Sequence, residues 1–294
     1  VNAMGPLAAD VAAYLKGRAR WSPLEVSFWV FAFATIWLFP EKHLILTETA
    51  ILGLFALSLD LILGYAGIIS LGQAAFFGLA GYCAGLVAKY GIVDEPVIAL
   101  ILSGLAAAVL GFITSFLVLR GSDLTRLMVT LGVSLMLGEL ANRYSDITGG
   151  ADGLQGVTIG PVLGRFNFDL YGHTGYIYSL VVLFICFLIA RRIVYSPFGL
   201  SLRSLKGNAL RASAIGIPVK WRLVAIYTIS AFFAGIAGAL LTQTTAFCSL
   251  DVLSLDRSAD LLLVLIIGGT GYLYGGLIGA VIYKFLQDWI ATLT

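Results

Sequence analysis

Residues 44–88 read LILTETAILGLFALSLDLILGYAGIISLGQAAFFGLAGYCAGLVA, and in this stretch only Glu48 and Asp60 are charged. A helix of about 20 apolar residues crosses a hydrocarbon core of about 30 Å. The stretch is therefore long enough to cross twice, with Gly64, Gly67 and Gly72 at the bend. Its apolar residues run on continuously rather than alternating with polar ones, which selects helices over a barrel. Lipid offers the backbone no hydrogen-bond partner, so each span must close its own ladder.

Working outward, further apolar runs lie near 26–39, 97–119, 124–142, 174–190, 221–243 and 259–292, and the opening stretch divides into 44–63 and 68–88. The last run is too long for one simple helix. It contains Gly268, Gly269, Gly271, Gly275 and Gly276, which predict a break into two pieces. The spacing predicts an all-α, polytopic integral membrane bundle of about 8–9 segments, glycine-broken helices included, forming one domain over residues 1–294. Composition agrees: 60% of the 294 residues are apolar and 12% charged, with a mean hydropathy of +0.97. A water-soluble domain carries about 25% charged residues.

A net charge of +2 gives no pull toward nucleic acid. Cys83, Cys186 and Cys248 are scattered without a C-x-x-C pair, so neither a disulfide framework nor a metal site is expected. Residues 1–20 are amphipathic and lack an apolar core with a small-residue cleavage site, so no cleaved signal peptide is expected.

Orientation follows from lysine and arginine in the loops. Residues 191–222 carry Arg191, Arg192, Arg203, Lys206, Arg211, Lys220 and Arg222 and no acid, which marks a cytoplasmic segment. The loop 143–173 sets Arg143 and Arg165 against Asp146, Asp152 and Asp169 and belongs outside. Counting spans backward puts 120–126 inside, 89–96 and 40–43 outside, and the N-terminal segment 1–22 in the cytoplasm. The cations Lys16, Arg18 and Arg20 against Asp10 agree with that placement.

Glycine inside a helix costs about 1 kcal/mol relative to alanine, so the two glycine clusters need a reason. Close helix packing is one. An unwound segment lining a solute path is the other, since broken helices persist where protein or water satisfies their backbone. Both clusters follow similar residues, Asp60-Leu-Ile-Leu-Gly64 and Asp260-Leu-Leu-Leu-Val264, a hint of two related halves. Glu48, Asp60, Glu139 and Asp260 are the acids within or near spans, and such residues are functional candidates by default. Each also has a quieter reading near a helix end.

In the basic segment, Pro197 and Gly199 punctuate the exit from the membrane. A short helix is expected next, with Leu202, Leu205, Ala209 and Ala212 on one stripe and Arg203, Lys206 and Arg211 pointing elsewhere. Gly216 and Pro218 supply its stop. Two readings stand for this helix: a positive anchor on lipid headgroups, or a docking helix for a partner's groove.

Several motifs resemble one family, the permeases of branched-chain amino-acid ABC importers. They are Gly64-Tyr-Ala-Gly-Ile-Ile-Ser-Leu-Gly-Gln-Ala-Ala-Phe-Phe-Gly-Leu-Ala-Gly-Tyr82, Thr148-Gly-Gly-Ala-Asp-Gly-Leu154, Ser196-Pro-Phe-Gly199 with Arg203, Ala214-Ile-Gly-Ile-Pro218, and Ser230-Ala-Phe-Phe-Ala-Gly-Ile-Ala-Gly-Ala239. They occur in the family's order between about residues 44 and 285. The resemblance implies a multi-pass protein of the bacterial cytoplasmic (inner) membrane that works by alternating access and does no covalent chemistry of its own. It implies a second, related permease as heterodimer partner, two cytoplasmic ATPase subunits that bind the ATP, and an extracytoplasmic substrate-binding protein. The chain itself would then need no cofactor. Leu202, Arg203, Leu205, Lys206, Ala209, Arg211, Ala212, Ala214 and Gly216 would form the ATPase-coupling segment. Thr148, Gly149, Gly150, Asp152 and Gly153 would face the binding protein. Two departures stand out: Ala209 and Ser213 occupy positions where the family usually carries glutamate, and the family tends to continue past the second glycine cluster, whereas this sequence stops at Thr294.

A path for a small polar-apolar solute is expected along Gly64, Gly67, Ser70, Gly72, Gln73, Thr130 and Ser134, with Tyr65 or Phe77 as a gate. Other classes remain open. An ion-coupled secondary transporter or channel would share the broken helices but leave the basic helix without a partner. An intramembrane enzyme would need an aspartyl pair such as Asp60 and Asp260, since His43 and His173 show no metal-binding spacing.

Overall fold

The computed structural model describes Gly17, residues 21–169 and residues 172–293. The basic tail read from Lys16, Arg18 and Arg20 lies outside the described residues. Helix α1 (Pro23–Leu38) starts where a capping box and a proline start it: Ser22 Oγ accepts from the Glu25 amide (3.2 Å), and Glu25 Oε2 accepts from the Ser22 amide (3.1 Å). Glu25 also pairs with Arg191 at 2.9 Å, which ties α1 to α7 (His173–Val194). Between α1 and α7 run α2 (His43–Leu63), α3 (Gln73–Lys89), α4 (Pro96–Val118), α5 (Asp123–Arg143) and the single turn α6 (Ser145–Thr148). After α7 come α8 (Pro197–Gly207), α9 (Ala209–Ala214), α10 (Val219–Thr245), α11 (Leu255–Gly268) and α12 (Gly275–Leu293).

The chain is thus an all-helical polytopic membrane protein. Among the described residues, five segments are long and apolar enough to cross a membrane: α2 with the 3₁₀ turn before it, α4, α5, α7 and α10. Helices α1, α3 and α11 are shorter, at 16, 17 and 14 residues. In their most apolar windows α2 is 78% and α10 72% buried, against 11% for α5. Helices α2 and α10 are therefore the axis of the bundle, and α5 is a post at its edge. Helix α10 packs on α4, α3 and α2, and α2 in turn on α7 and α12. Small residues let these backbones approach: Gly235 of α10 faces Ala107 of α4 and Ala80 of α3, and Gly238 lies on the Phe77 backbone.

The two glycine clusters are where the helices break, but the first break is wider than the apolar run suggests. Residues 64–72 are not helical, and α3 begins at Gln73 rather than near 68. Gln73 Nε2 donates to Ser230 Oγ (2.9 Å), and Ser230 Oγ donates to the Ser58 carbonyl (2.6 Å). These bonds set the start of α3 beside the interior of α2 and α10, so residues 64–72 climb back into the bundle. The run expected at 259–292 is two helices, α11 and α12, joined by the turn 269–274. Helix α12 returns antiparallel to α2: Asp60 meets Gly271, Gly53 meets Leu277 and Ala280, and Glu48 meets Lys284.

A third irregular segment was not expected. After α10 the chain turns inward through 246–254, where Ser134 Oγ of α5 donates to the Leu253 carbonyl (2.9 Å). Ser254 then caps α11 through the Arg257 amide. The Ala74 amide donates to Ser258 Oγ (3.1 Å), so α3 and α11 begin side by side.

Candidate functional site

The two breaks meet at Asp60 in the last turn of α2. The Asp60 side chain is fully buried, and its Oδ1 accepts from the Gly271 amide at 2.7 Å. A Cβ on Gly64 would collide with Asp60 Oδ1 and lie 2.6 Å from the Gly271 nitrogen, so only glycine permits this approach. The Gly64 carbonyl, freed by the end of the helix, accepts from Lys206 Nζ at 2.7 Å. That ammonium also interacts electrostatically with Asp60. Gly67 has φ +72°, and the Lys206 side chain lies against it. One turn earlier on α8, the Arg203 guanidinium sits 5.2 Å from the centre of the buried Tyr65 ring.

Arg203 and Lys206 therefore point back into the first break. The expected single amphipathic helix is in fact two, separated at Asn208 (φ −162°, ψ 107°), whose side chain caps α9 through the Arg211 amide (3.0 Å). Leu202, Leu205 and Ala212 are buried as the stripe predicts, but the break turns Ala209 outward. Arg211, Ala214 and Gly216 are also exposed. Around them Leu210 is 84% and Ile215 75% exposed, two large apolar side chains at the outer tip of the segment.

Of the expected path residues, Ser70, Gly72, Gln73, Thr130 and Ser134 lie along one buried polar seam. The Leu71 amide donates to Thr130 Oγ1 (3.2 Å) and the Gly72 amide to Ser70 Oγ (3.2 Å). Gln73 and Ser134 bond as given above. Ser70, Gln73, Thr130 and Ser134 are all buried. Gly64 and Gly67 lie instead at the Lys206 contact. Of the gate candidates, Tyr65 is buried under Arg203, and Phe77 stacks on Phe55 with ring centres 4.4 Å apart.

At the opposite end of the bundle, Thr148 Oγ1 donates to the Ala141 and Tyr144 carbonyls and closes α5. Gly149, Gly150 and Gly153 then take φ of 81°, 55° and 75°, a left-handed run that glycine alone makes without strain. Asp152 is exposed, and the Leu154 amide donates to the Cys248 carbonyl (2.7 Å), fastening this loop to the turn after α10.

Of the other acids, Glu139 is exposed on α5, Glu48 pairs with Lys284 of α12 at 2.7 Å, and Asp260 borders a cleft beside Tyr283. Sequence reading missed the basic partners there, Arg257 and Lys284. Their signal was available: a cation inside an apolar run is costly in lipid and marks a site. A larger cavity of about 540 Å³ between α1, α2, α7 and α12 is lined almost wholly by apolar side chains, with Lys42 the one charged residue among them.

Broken helices locked together in the bundle, with a basic helix pair reaching into the break, are a build found in polytopic membrane proteins, where protein satisfies the unwound backbone. The sequence matches the family described as branched-chain amino acid transport system / permease component over residues 43–294, and the chain belongs to that family. It is 26% identical over 261 residues to the high-affinity branched-chain amino acid transport system permease protein LivM of Salmonella typhimurium, covering 81% of this chain and 61% of the relative. The LivM of Escherichia coli is 25% identical with the same coverage. The probable branched-chain amino acid transport permease protein LivH of Methanocaldococcus jannaschii is 26% identical, covering 82% of this chain and 77% of the relative. The chain thus spans about three fifths of the length of the LivM relatives it matches. No solved structure matches it significantly.

Proposed function

We propose that the chain is the transmembrane permease subunit of an ATP-binding-cassette importer for branched-chain or related amino acids, working by alternating access. The observation that carries this reading is the two-sided build of α8 and α9. One side inserts Arg203 and Lys206 into the first glycine break. The other exposes Leu210 and Ile215 away from the bundle. A lipid anchor has no use for a rigid link to the interior, whereas a docking helix that transmits motion needs both faces. Residues 191–222 then lie in the cytoplasm with the N-terminal segment 1–22, in one permease domain of a bacterial inner membrane. Two ATPase subunits dock there and bind the ATP, so the permease does no covalent chemistry and needs no cofactor.

Helix α5 supports a second permease as partner. It is the least buried of the five spans and has the lowest mean hydropathy, 1.4 against 1.8–2.5 for the others. Lipid favours the reverse order, so a protein face or a water-filled path is the better neighbour for Glu139 and its stripe. The loop Thr148–Gly153 is then on the outer side, where an extracytoplasmic binding protein delivers the solute.

Affinity purification in mild detergent tests the reading. A related permease and two ATPase subunits are expected with the chain, and Leu210→Asp with Ile215→Asp should release the ATPases while the permease pair stays intact. Purification of the chain alone, active in liposomes without ATP, would instead establish an ion-coupled transporter or channel.

A further inference from the structure

A cleft of about 210 Å³ opens between α2, α11 and α12, with the first turns of α3 and the end of α10 at its floor. Its walls carry four charges that sum to zero: Glu48 of α2, Arg257 and Asp260 of α11, and Lys284 of α12. Each lies in or beside a membrane segment, where a charged side chain costs about 2.5–3.5 kcal/mol at mid-helix on insertion scales. Packing does not demand such residues. The floor is of opposite character: Phe55 and Phe77 form the stacked pair, with Ile51 and Leu241 beside them.

We propose that this cleft is a binding site for a zwitterionic α-amino acid with an apolar side chain; the inference rests on the importer reading and gives its substrate a place in this chain. Asp260 and Arg257 stand three residues apart on α11, so they share one face about 5–6 Å apart. That is the separation at which one α-carbon can present its ammonium to the first and its carboxylate to the second. Arg257 binds Asp251 at 2.8 Å through one guanidinium nitrogen and at 2.9 Å through another. A guanidinium has five N–H donors, and this side chain is 43% exposed, so donors remain for a carboxylate. Asp260 and Tyr283 both line the cleft. The Glu48–Lys284 pair closes the far wall and keeps the cleft neutral, which disfavours solutes carrying net charge. The apolar floor takes the side chain. The volume is below the ~300–1,000 Å³ of pockets for drug-sized ligands and suits a single amino acid.

The test uses the assembled transporter in nanodiscs, with Cys83→Ser to remove the half-exposed native thiol and Gln287→Cys as a reporter in the cleft wall. L-leucine should slow labelling of the reporter by a polar thiol reagent. At equal concentration 3-methylbutylamine, which lacks the carboxylate, and 4-methylpentanoate, which lacks the ammonium, should not. Asp260→Asn and Arg257→Gln should each raise the leucine concentration for half-protection roughly tenfold or more, with Asp260→Glu and Arg257→Lys recovering part of it. The same variants should raise the KM for leucine uptake. No protection by leucine, equal protection by all three compounds, or protection that follows the phosphatidylethanolamine content of the disc would overturn the site. In the last case the cleft holds a lipid headgroup. ATP-driven leucine uptake with an unchanged KM in the variants defeats the cleft alone, whereas uptake without ATP defeats the importer reading and leaves the protection assay standing.

Discussion

The polar seam and the charged cleft lie four residues apart on α3, one at Gln73 and the other at Phe77, yet they are built on opposite principles. In the seam, neutral hydroxyls and an amide bond to one another and to backbone, with Gln73 Oε1 left buried and without a partner. In the cleft, full charges face open volume and keep part of their hydrogen-bonding capacity. Polar groups that satisfy one another inside a membrane act as glue. Charges left with space beside them are placed for something else. The seam fixes where the unwound segment 64–72 runs.

The comparison breaks hardest at the junction of the breaks. Gly64→Val puts a side chain into Asp60 and the Gly271 backbone and should cost about 2–3 kcal/mol, seen as loss of monodisperse protein in size-exclusion chromatography. Asp60→Leu leaves the Gly271 amide without its acceptor and should cost about 1–3 kcal/mol, whereas Asp60→Asn keeps an oxygen there and should remain near wild type. Lys206→Met removes a charged hydrogen bond to Gly64 without touching the core. It should cut transport per ATP roughly tenfold, with hydrolysis and thermal stability largely retained. Gln73→Leu sharpens the contrast from the other side. It should cost about 0.6–1.7 kcal/mol in thermal unfolding, and an unchanged KM for solute would separate the seam from the solute path. The smallest effect belongs to the Arg126–Asp123 pair, whose carboxylate is 66% exposed, so that Asp123→Ala should change stability by less than about 1 kcal/mol.

The helices were legible because apolar run length, Pro23 and Pro96 mark spans and starts without tertiary information. So were the two breaks, through their glycines. The start of α3 was not: Ile68, Ile69 and Leu71 are as apolar as any helical residue, and contacts distant in sequence hold that stretch unwound, among them the bonds to Thr130 and Ser230 and the Lys206 bond to Gly64. The segment 246–254 escaped for the same reason, since its course is set by Ser134 and Leu154, which are distant in sequence. The division of the basic helix was readable in Asn208, a good N-cap. The inward aim of Arg203 and Lys206 was not, because it depends on Gly64 ending α2 beneath them. The charged cleft joins Glu48 to residues more than two hundred positions later, and local pattern carries no trace of that contact.

In the proposed importer, the permease moves its solute when a partner drives α8 and α9. The most direct test of this is leucine uptake into liposomes containing the assembled complex, with ATP supplied on the side that exposes α9. Uptake that requires ATP in wild type, and falls in Lys206→Met while hydrolysis continues, is the predicted result. Uptake that proceeds without ATP along an ion gradient, or a Lys206→Met variant that couples as well as wild type, would contradict it.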